Sequence, residues 1–154
     1  MGDPAGIGPE IILKAFAQSP ELTQGCCVFG DLPTLEKQLS LLAPLLPRRL
    51  AFLPITDLAQ VGPSLGSQIP VIQCGESAPI AMGHVSAQAG AMAAAAIRSA
   101  TSAALNGKVA AVVTAPVNKK ALQLRGVESP DIPKCCSHWP RNTWACPSAV
   151  CRFA

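Results

Sequence analysis

Charge is scarce in this sequence: Asp, Glu, Lys and Arg make up 14% of its 154 residues, against 49% hydrophobic residues and a mean hydropathy of +0.34. That balance excludes a disordered acidic or basic tail protein and fits a chain with one sizeable core, too short for two comfortable domains. No apolar run approaches the roughly 20 residues that span a bilayer, and no basic segment followed by an apolar one opens the sequence. A soluble, untargeted, cytoplasmic protein without a membrane partner is expected. Twelve Lys and Arg against nine Asp and Glu leave a net charge of only +3, scattered along the chain. Nothing there recruits nucleic acid, although small anions remain suitable ligands. The seven cysteines are odd in number, and Cys135, Cys136, Cys146 and Cys151 crowd the C-terminal stretch together with Trp139 and Trp144. A reducing compartment suits them better than a disulfide framework.

What is present alternates between strand and helix signals. Met1 to Glu10 is a glycine-rich turn running into Ile11 to Ala17, with Pro9 suited to a first helical position and Glu10 to the positive end of the helix dipole. Cys26 to Phe29 reads as a strand ended by Gly30-Asp31, and Leu32 to Leu42 as a helix with Leu35, Leu39 and Leu42 on one face. Arg49 to Leu53 and Pro70 to Gln73 predict two further strands. The proline-free, alanine-rich run from Val85 to Leu105 predicts a long helix stopped at Asn106-Gly107. Val109 to Thr114 has the near-continuous apolar character of an interior parallel strand, and Asn118 to Leu124 begins another helix closed by Gly126. Together these elements predict an α/β domain with a largely parallel sheet, whose ligands gather in loops beyond the strand ends.

Two loops carry candidate chemistry. In the first, backbone N–H groups at a helix start lie beside Asp3, with close ligand approach at Gly6 and Gly8. This loop is neither a P-loop, since no Gly-Lys-Ser/Thr follows, nor a complete dinucleotide fingerprint, since Ile11 occupies the third glycine position. A plain tight turn explains the glycines equally well. The second loop places Thr114, Asn118 and Lys119 at a strand end, a hydroxyl, an amide and an ammonium of the kind that hold phosphate or carboxylate. An ordinary solvated helix start explains those equally well. Cys26, Cys27 and Cys74 read as small core side chains, and His84 as a loop or capping residue. Cys135, Cys136, His138, Cys146 and Cys151 lack the paired spacing of a zinc site.

In their order, the Gly2-Asp3-Pro4-Ala5-Gly6-Ile7-Gly8-Pro9-Glu10 opening, the alanine-rich helix, Val112-Val113-Thr114-Ala115-Pro116-Val117-Asn118-Lys119 and Gly126-Val127 resemble the 4-hydroxythreonine-4-phosphate dehydrogenase family of vitamin B6 biosynthesis. The resemblance covers residues 1–127. It implies a three-layer isocitrate/isopropylmalate dehydrogenase-like fold, incomplete here because family members are about twice as long and carry a first strand before the opening motif. It also implies NAD- or NADP-dependent removal of hydride from C3 of a phosphorylated hydroxy amino acid, followed by loss of carbon dioxide to give 3-amino-2-oxopropyl phosphate. A divalent metal (zinc, magnesium or cobalt) held by later histidines polarises the reacting oxygen, and a homodimer builds the site. Loop position within the cleft that the resemblance implies puts Asp3, Gly6 and Gly8 on the cofactor side and Thr114, Asn118 and Lys119 on the substrate side; the resemblance itself secures none of these roles. It assigns no metal ligand and secures no catalytic residue in this sequence. A noncatalytic phosphate-binding module, and a relative acting on another phosphorylated hydroxy acid or a cyclic diol, are the alternatives.

After Val127 the motif pattern stops. The family continues with Pro-Gly-His-Thr-Glu, whose His and Thr grip substrate, whereas Glu128-Ser129-Pro130-Asp131-Ile132-Pro133-Lys134 stands here. A nucleotide sequence encoding VEFPGHTEMLQPLAQE, deprived of one T in its TTC codon, reads VESPDIPKCCSHWPR, as found from Val127 onward. Residues 128–154 are therefore expected to be an irregular, out-of-frame tail, and the chain an inactive fragment. A family-like continuation in the other frame of the locus is the supporting result, and its absence the contrary one.

Overall fold

The computed structural model describes residues 1–62 and 67–126. The tail expected over 128–154, with its four cysteines and two tryptophans, lies outside the described residues.

Three short parallel strands, β1 (Val28–Gly30), β2 (Ala51–Pro54) and β3 (Gln68–Gln73), form a sheet in the order β1-β3-β2. Val28 is in register with Val71, and Phe52 with Ile69. Because successive side chains point to opposite faces, this register builds two cores. On one face Val28, Ile69 and Val71 meet Leu13 and Phe16 of α1 (Gly8–Gln18) and Leu35 and Leu42 of α2 (Leu32–Leu42). On the other, Cys27, Phe29 and Cys74 meet Ala96, Ala100 and Ala103 of α3 (Ala87–Leu105). Helices thus cover both faces of the sheet, the three-layer arrangement expected. Among the described residues no helix is long and apolar enough to cross a membrane.

Local chemistry explains the boundaries. Pro9 opens α1 without wasting a hydrogen bond. Ser86 caps α3 by accepting from the Ala89 N–H at 3.1 Å, so the helix begins two residues later than its alanine-rich composition predicts. Its stop at Asn106, with Gly107 at φ +68°, is the one expected. Gly90 on α3 permits close approach to α4 (Lys119–Leu124), because a Cβ added there would overlap the Ala121 carbonyl oxygen. Cys26, Cys27 and Cys74 are buried, as small core side chains should be, and burial pushes the Cys74 thiol up despite its hydrogen-bond partners.

One expected element is corrected. Val109–Thr114 is not an interior strand; residues 111–118 carry no regular secondary structure. Apolar composition predicted burial, and Val109 is buried, but a strand also needs a ladder partner. Between this run and β1 lies a cleft lined by Phe16, Phe29, Ala96, Val112 and Val113. Across that gap no backbone bond forms among the described residues.

Asp31, not singled out by the sequence, ties the sheet to α2. Its buried carboxylate accepts from the Thr34 N–H (3.0 Å), the Thr34 hydroxyl (2.6 Å) and Gln73 Nε2 (2.9 Å). Burial alone would raise its pKa, but the bonds from Thr34, Gln73 and Ser77 outweigh it and hold the carboxyl below its ordinary value. A depressed folded-state value means that the stabilisation is complete above the ordinary carboxylate range and disappears as pH falls through the folded-state value. Asp31→Ala is expected to cost about 1–2 kcal/mol for the lost cap. Urea unfolding at neutral pH should show this deficit, and the gap between variant and wild type should narrow in acid.

Candidate functional site

The opening loop and the loop before α4 are brought together, although more than a hundred residues separate them in sequence. The Asp3 N–H donates to the Pro116 carbonyl at 2.9 Å. Beside this bond Gly2 sits at φ +77°, and a Cβ there would lie 2.6 Å from the Pro116 oxygen and 2.7 Å from the Ala115 oxygen. Only glycine satisfies both the left-handed backbone and that close passage. The Met1 ammonium donates to the Phe29 carbonyl at 2.7 Å, fastening the same segment to β1.

The individual residues of the first loop divide by role. Asp3 is buried, and its Oδ1 accepts the Ala5 N–H at 2.9 Å, so this carboxylate shapes its own turn. The Gly6 N–H closes the turn onto the Asp3 carbonyl at 3.2 Å. Gly6 itself has room for a Cβ at ordinary contact distance. Gly8 is buried, with a Cβ position only 2.6 Å from the Met1 carbonyl, so its missing side chain serves chain packing. Ile7 is 60% exposed at the start of α1. No backbone partner engages its N–H among the described residues. The loop therefore leads into the positive end of an 11-residue helix.

In the second loop Thr114 and Lys119 are exposed. The Asn118 Oδ1 accepts the Lys120 and Ala121 N–H groups at 3.0 and 3.2 Å, capping α4. Its amide nitrogen remains as a donor, and the cap fixes where Lys119 leaves the helix. The predicted ammonium, hydroxyl and amide are thus on the loop that touches Asp3.

A third segment joins them, which sequence reasoning placed only in a loop. The Gly83 N–H donates to the Ala5 carbonyl at 2.8 Å, and the His84 N–H closes a turn onto the Ala81 carbonyl at 3.2 Å. The signal for that turn is the Met82-Gly83 step ahead of the Ser86 cap, but nothing local indicates which loop it meets.

These groups suit an anion: a helix start, an exposed ammonium at Lys119, and an Asp3 carboxylate turned to its own loop's Ala5 N–H. They do not suit a resident divalent metal. Among the described residues no group of three or more His, Cys, Asp or Glu side chains could hold one, so no step through a metal is derived from them. A phosphate group, whether of a substrate or of a dinucleotide, fits the donor set.

Comparison with known proteins gives concordant matches. The model of the family described as pyridoxal phosphate biosynthetic protein PdxA matches residues 23–141, running past the last motif at Val127. D-threonate 4-phosphate dehydrogenase of Salmonella typhimurium is 41% identical over 132 residues, covering 84% of this chain and 39% of that protein. The 4-hydroxythreonine-4-phosphate dehydrogenase of Prosthecochloris aestuarii is 37% identical over 131 residues, covering 82% of this chain and 38% of that protein. The crystal structure of 4-hydroxythreonine-4-phosphate dehydrogenase from Klebsiella pneumoniae superposes with a TM-score of 0.78 at 42% identity, over 90% of this chain and 41% of the other. This chain spans about two fifths of the length of these relatives.

Proposed function

The chain belongs to the pyridoxal phosphate biosynthetic protein PdxA family, and from that membership we propose that it supplies the glycine-loop part of a dehydrogenase site for a phosphorylated four-carbon hydroxy acid. The complete enzyme oxidises the C3 hydroxyl of 4-hydroxythreonine 4-phosphate with NAD or NADP in a homodimer. The observation that carries this reading is the Asp3 to Pro116 hydrogen bond, which makes one donor surface of two loops.

In this reading the residues of the chain bind and orient. Lys119 offsets phosphate or carboxylate charge, the Thr114 hydroxyl and Asn118 amide orient the substrate, and the Ile7 N–H with the start of α1 receives an anionic oxygen. Gly6 leaves room for that approach, while Asp3 and Gly8 keep the loop in shape on the cofactor side. A nicotinamide dinucleotide, when bound, supplies the hydride acceptor.

D-threonate 4-phosphate is a second substrate reading, supported by the 41% identity to the Salmonella enzyme of that name. The two substrates share phosphate, carboxylate and C3 hydroxyl and differ at C2, so both present the same anionic groups to these loops.

Calorimetric titration of the 154-residue chain with 4-hydroxythreonine 4-phosphate tests the assignment. Lys119→Ala is expected to weaken binding about tenfold, the value of one charge-assisted contact. Lys108→Ala, beyond the far end of the long helix α3, should leave it unchanged. Equal affinities for wild type and Lys119→Ala would contradict the assignment.

A further inference from the structure

We propose that the apolar cleft between β1 and the unpaired Val109–Thr114 run is a strand-acceptor slot, which takes an extended apolar segment of about five residues, donated by a separate polypeptide and parallel to β1.

The walls of the cleft are those that surround an interior strand. β1 forms one side and Val112 and Val113 the other. Ile12 and Phe16 of α1 cover the cleft from one face of the sheet, and Ala96 and Ala100 of α3 cover it from the opposite face. A parallel strand buried between two helical layers has this surround. Backbone direction agrees. The Gly30 carbonyl accepts from the Cys74 N–H at 2.9 Å and so is turned to β3. Phe29, one residue earlier, is turned to the cleft, where its carbonyl accepts from the Met1 ammonium at 2.7 Å. Across from it, Val112, Val113, Thr114 and Ala115 make no backbone hydrogen bond among the described residues. Both edges present main-chain groups that an extended chain joins in series.

Size and chemistry select the occupant. The open space between the walls is about 60 Å³, far below the roughly 300 Å³ at which small-molecule pockets begin. Residues 111–118 carry no regular secondary structure, so that wall can move outward as a strand enters. Among the described residues no charged side chain lines the cleft. An uncharged, near-continuous run of valine and isoleucine suits such walls. Every described strand and helix already has its own place, so the strand comes from another polypeptide. Once paired, Val109–Thr114 gains the ladder that its composition suits.

Hydrogen exchange of the 154-residue chain, followed by NMR with and without a capped Lys-Lys-Gly-Val-Ile-Val-Val-Ile peptide, tests the slot. The Phe29 amide and at least one of Val112 and Val113 should exchange about tenfold more slowly with the peptide, and Phe52 on the outer edge of β2 should be unchanged. The same peptide with proline at its second and fourth apolar positions stays apolar but lacks those donors, and should protect none of them. Equal protection by both peptides, protection of Phe52 instead, or no protection by either would overturn the proposal. So would slow exchange of Phe29, Val112 and Val113 before any peptide is added, since the slot would then be filled by the chain itself or by a second copy.

Discussion

The 154-residue chain, assayed alone with 4-hydroxythreonine 4-phosphate and NAD or NADP, is expected to form no NADH or NADPH, with or without added zinc, magnesium or cobalt. In the proposed reading these loops grip an anion, but binding the ground state does not lower the barrier to hydride removal. That needs charge placed against the oxygen as it develops, and removal of even one such donor typically costs about 10²–10³ in rate. Among the described residues no trio of metal-ligating side chains exists to place a divalent ion there, and the Pro-Gly-His-Thr-Glu motif expected from the resemblance does not occur after Val127. Rejoining residues 1–127 to a family continuation beginning Glu-Phe-Pro-Gly-His-Thr-Glu should yield turnover. Product formed by the unaltered chain, above a control carrying Asp3→Ala and Lys119→Ala, would contradict this expectation. Binding without turnover even in the rejoined protein would favour a noncatalytic phosphate-binding module.

Gly2→Ala is expected to be among the most damaging single-atom changes in the molecule, at about 2–4 kcal/mol. Two causes add: a left-handed backbone that alanine resists, and overlap with the Ala115 and Pro116 carbonyl oxygens, which are backbone and cannot rotate aside. The substitution also drives apart the two loops that Asp3 and Pro116 join, so phosphate affinity should fall along with the melting temperature. Gly25→Ala separates the causes. Gly25 has φ +67° but nothing within 4 Å of its would-be Cβ, so it should show the backbone cost alone, about 1 kcal/mol, with binding intact. Equal losses in the two variants would mean that the Gly2 contact is not what holds the loops together.

How much of this was legible in the sequence depended on whether the cause was local. Leu32 to Leu42 has its helix bounds correct because leucine spacing and a proline in the first turn are properties of neighbours in sequence. The long helix was equally plain, and only the Ser86 cap moved its start. Thr114, Asn118 and Lys119 stand out by residue type alone, and their proposed use toward an anion rests on that type and on the meeting of their loop with Asp3. Val109–Thr114 was misjudged because pairing is not local: the same apolar run is a strand beside a partner and an unpaired segment across a cleft. The roles of Gly2 and Gly8 were hidden for a related reason, since a glycine kept for chain passage looks in sequence like one kept for ligand approach. The meeting of Gly83 with Ala5 carries no sequence mark, and neither does the Gln73 bond to Asp31.

The central claim is that the Asp3–Gly8 and Thr114–Lys119 loops act as one surface for a phosphorylated hydroxy acid. Mapping amide chemical shifts on adding 4-hydroxythreonine 4-phosphate to the isotopically labelled chain tests it most directly. The predicted result is a common saturation curve for Gly6, Ile7, Thr114 and Lys119, with Ala51 and Phe52 of β2 unmoved. Perturbations confined to one loop, or clustered on β2 and α2 instead, would contradict the claim.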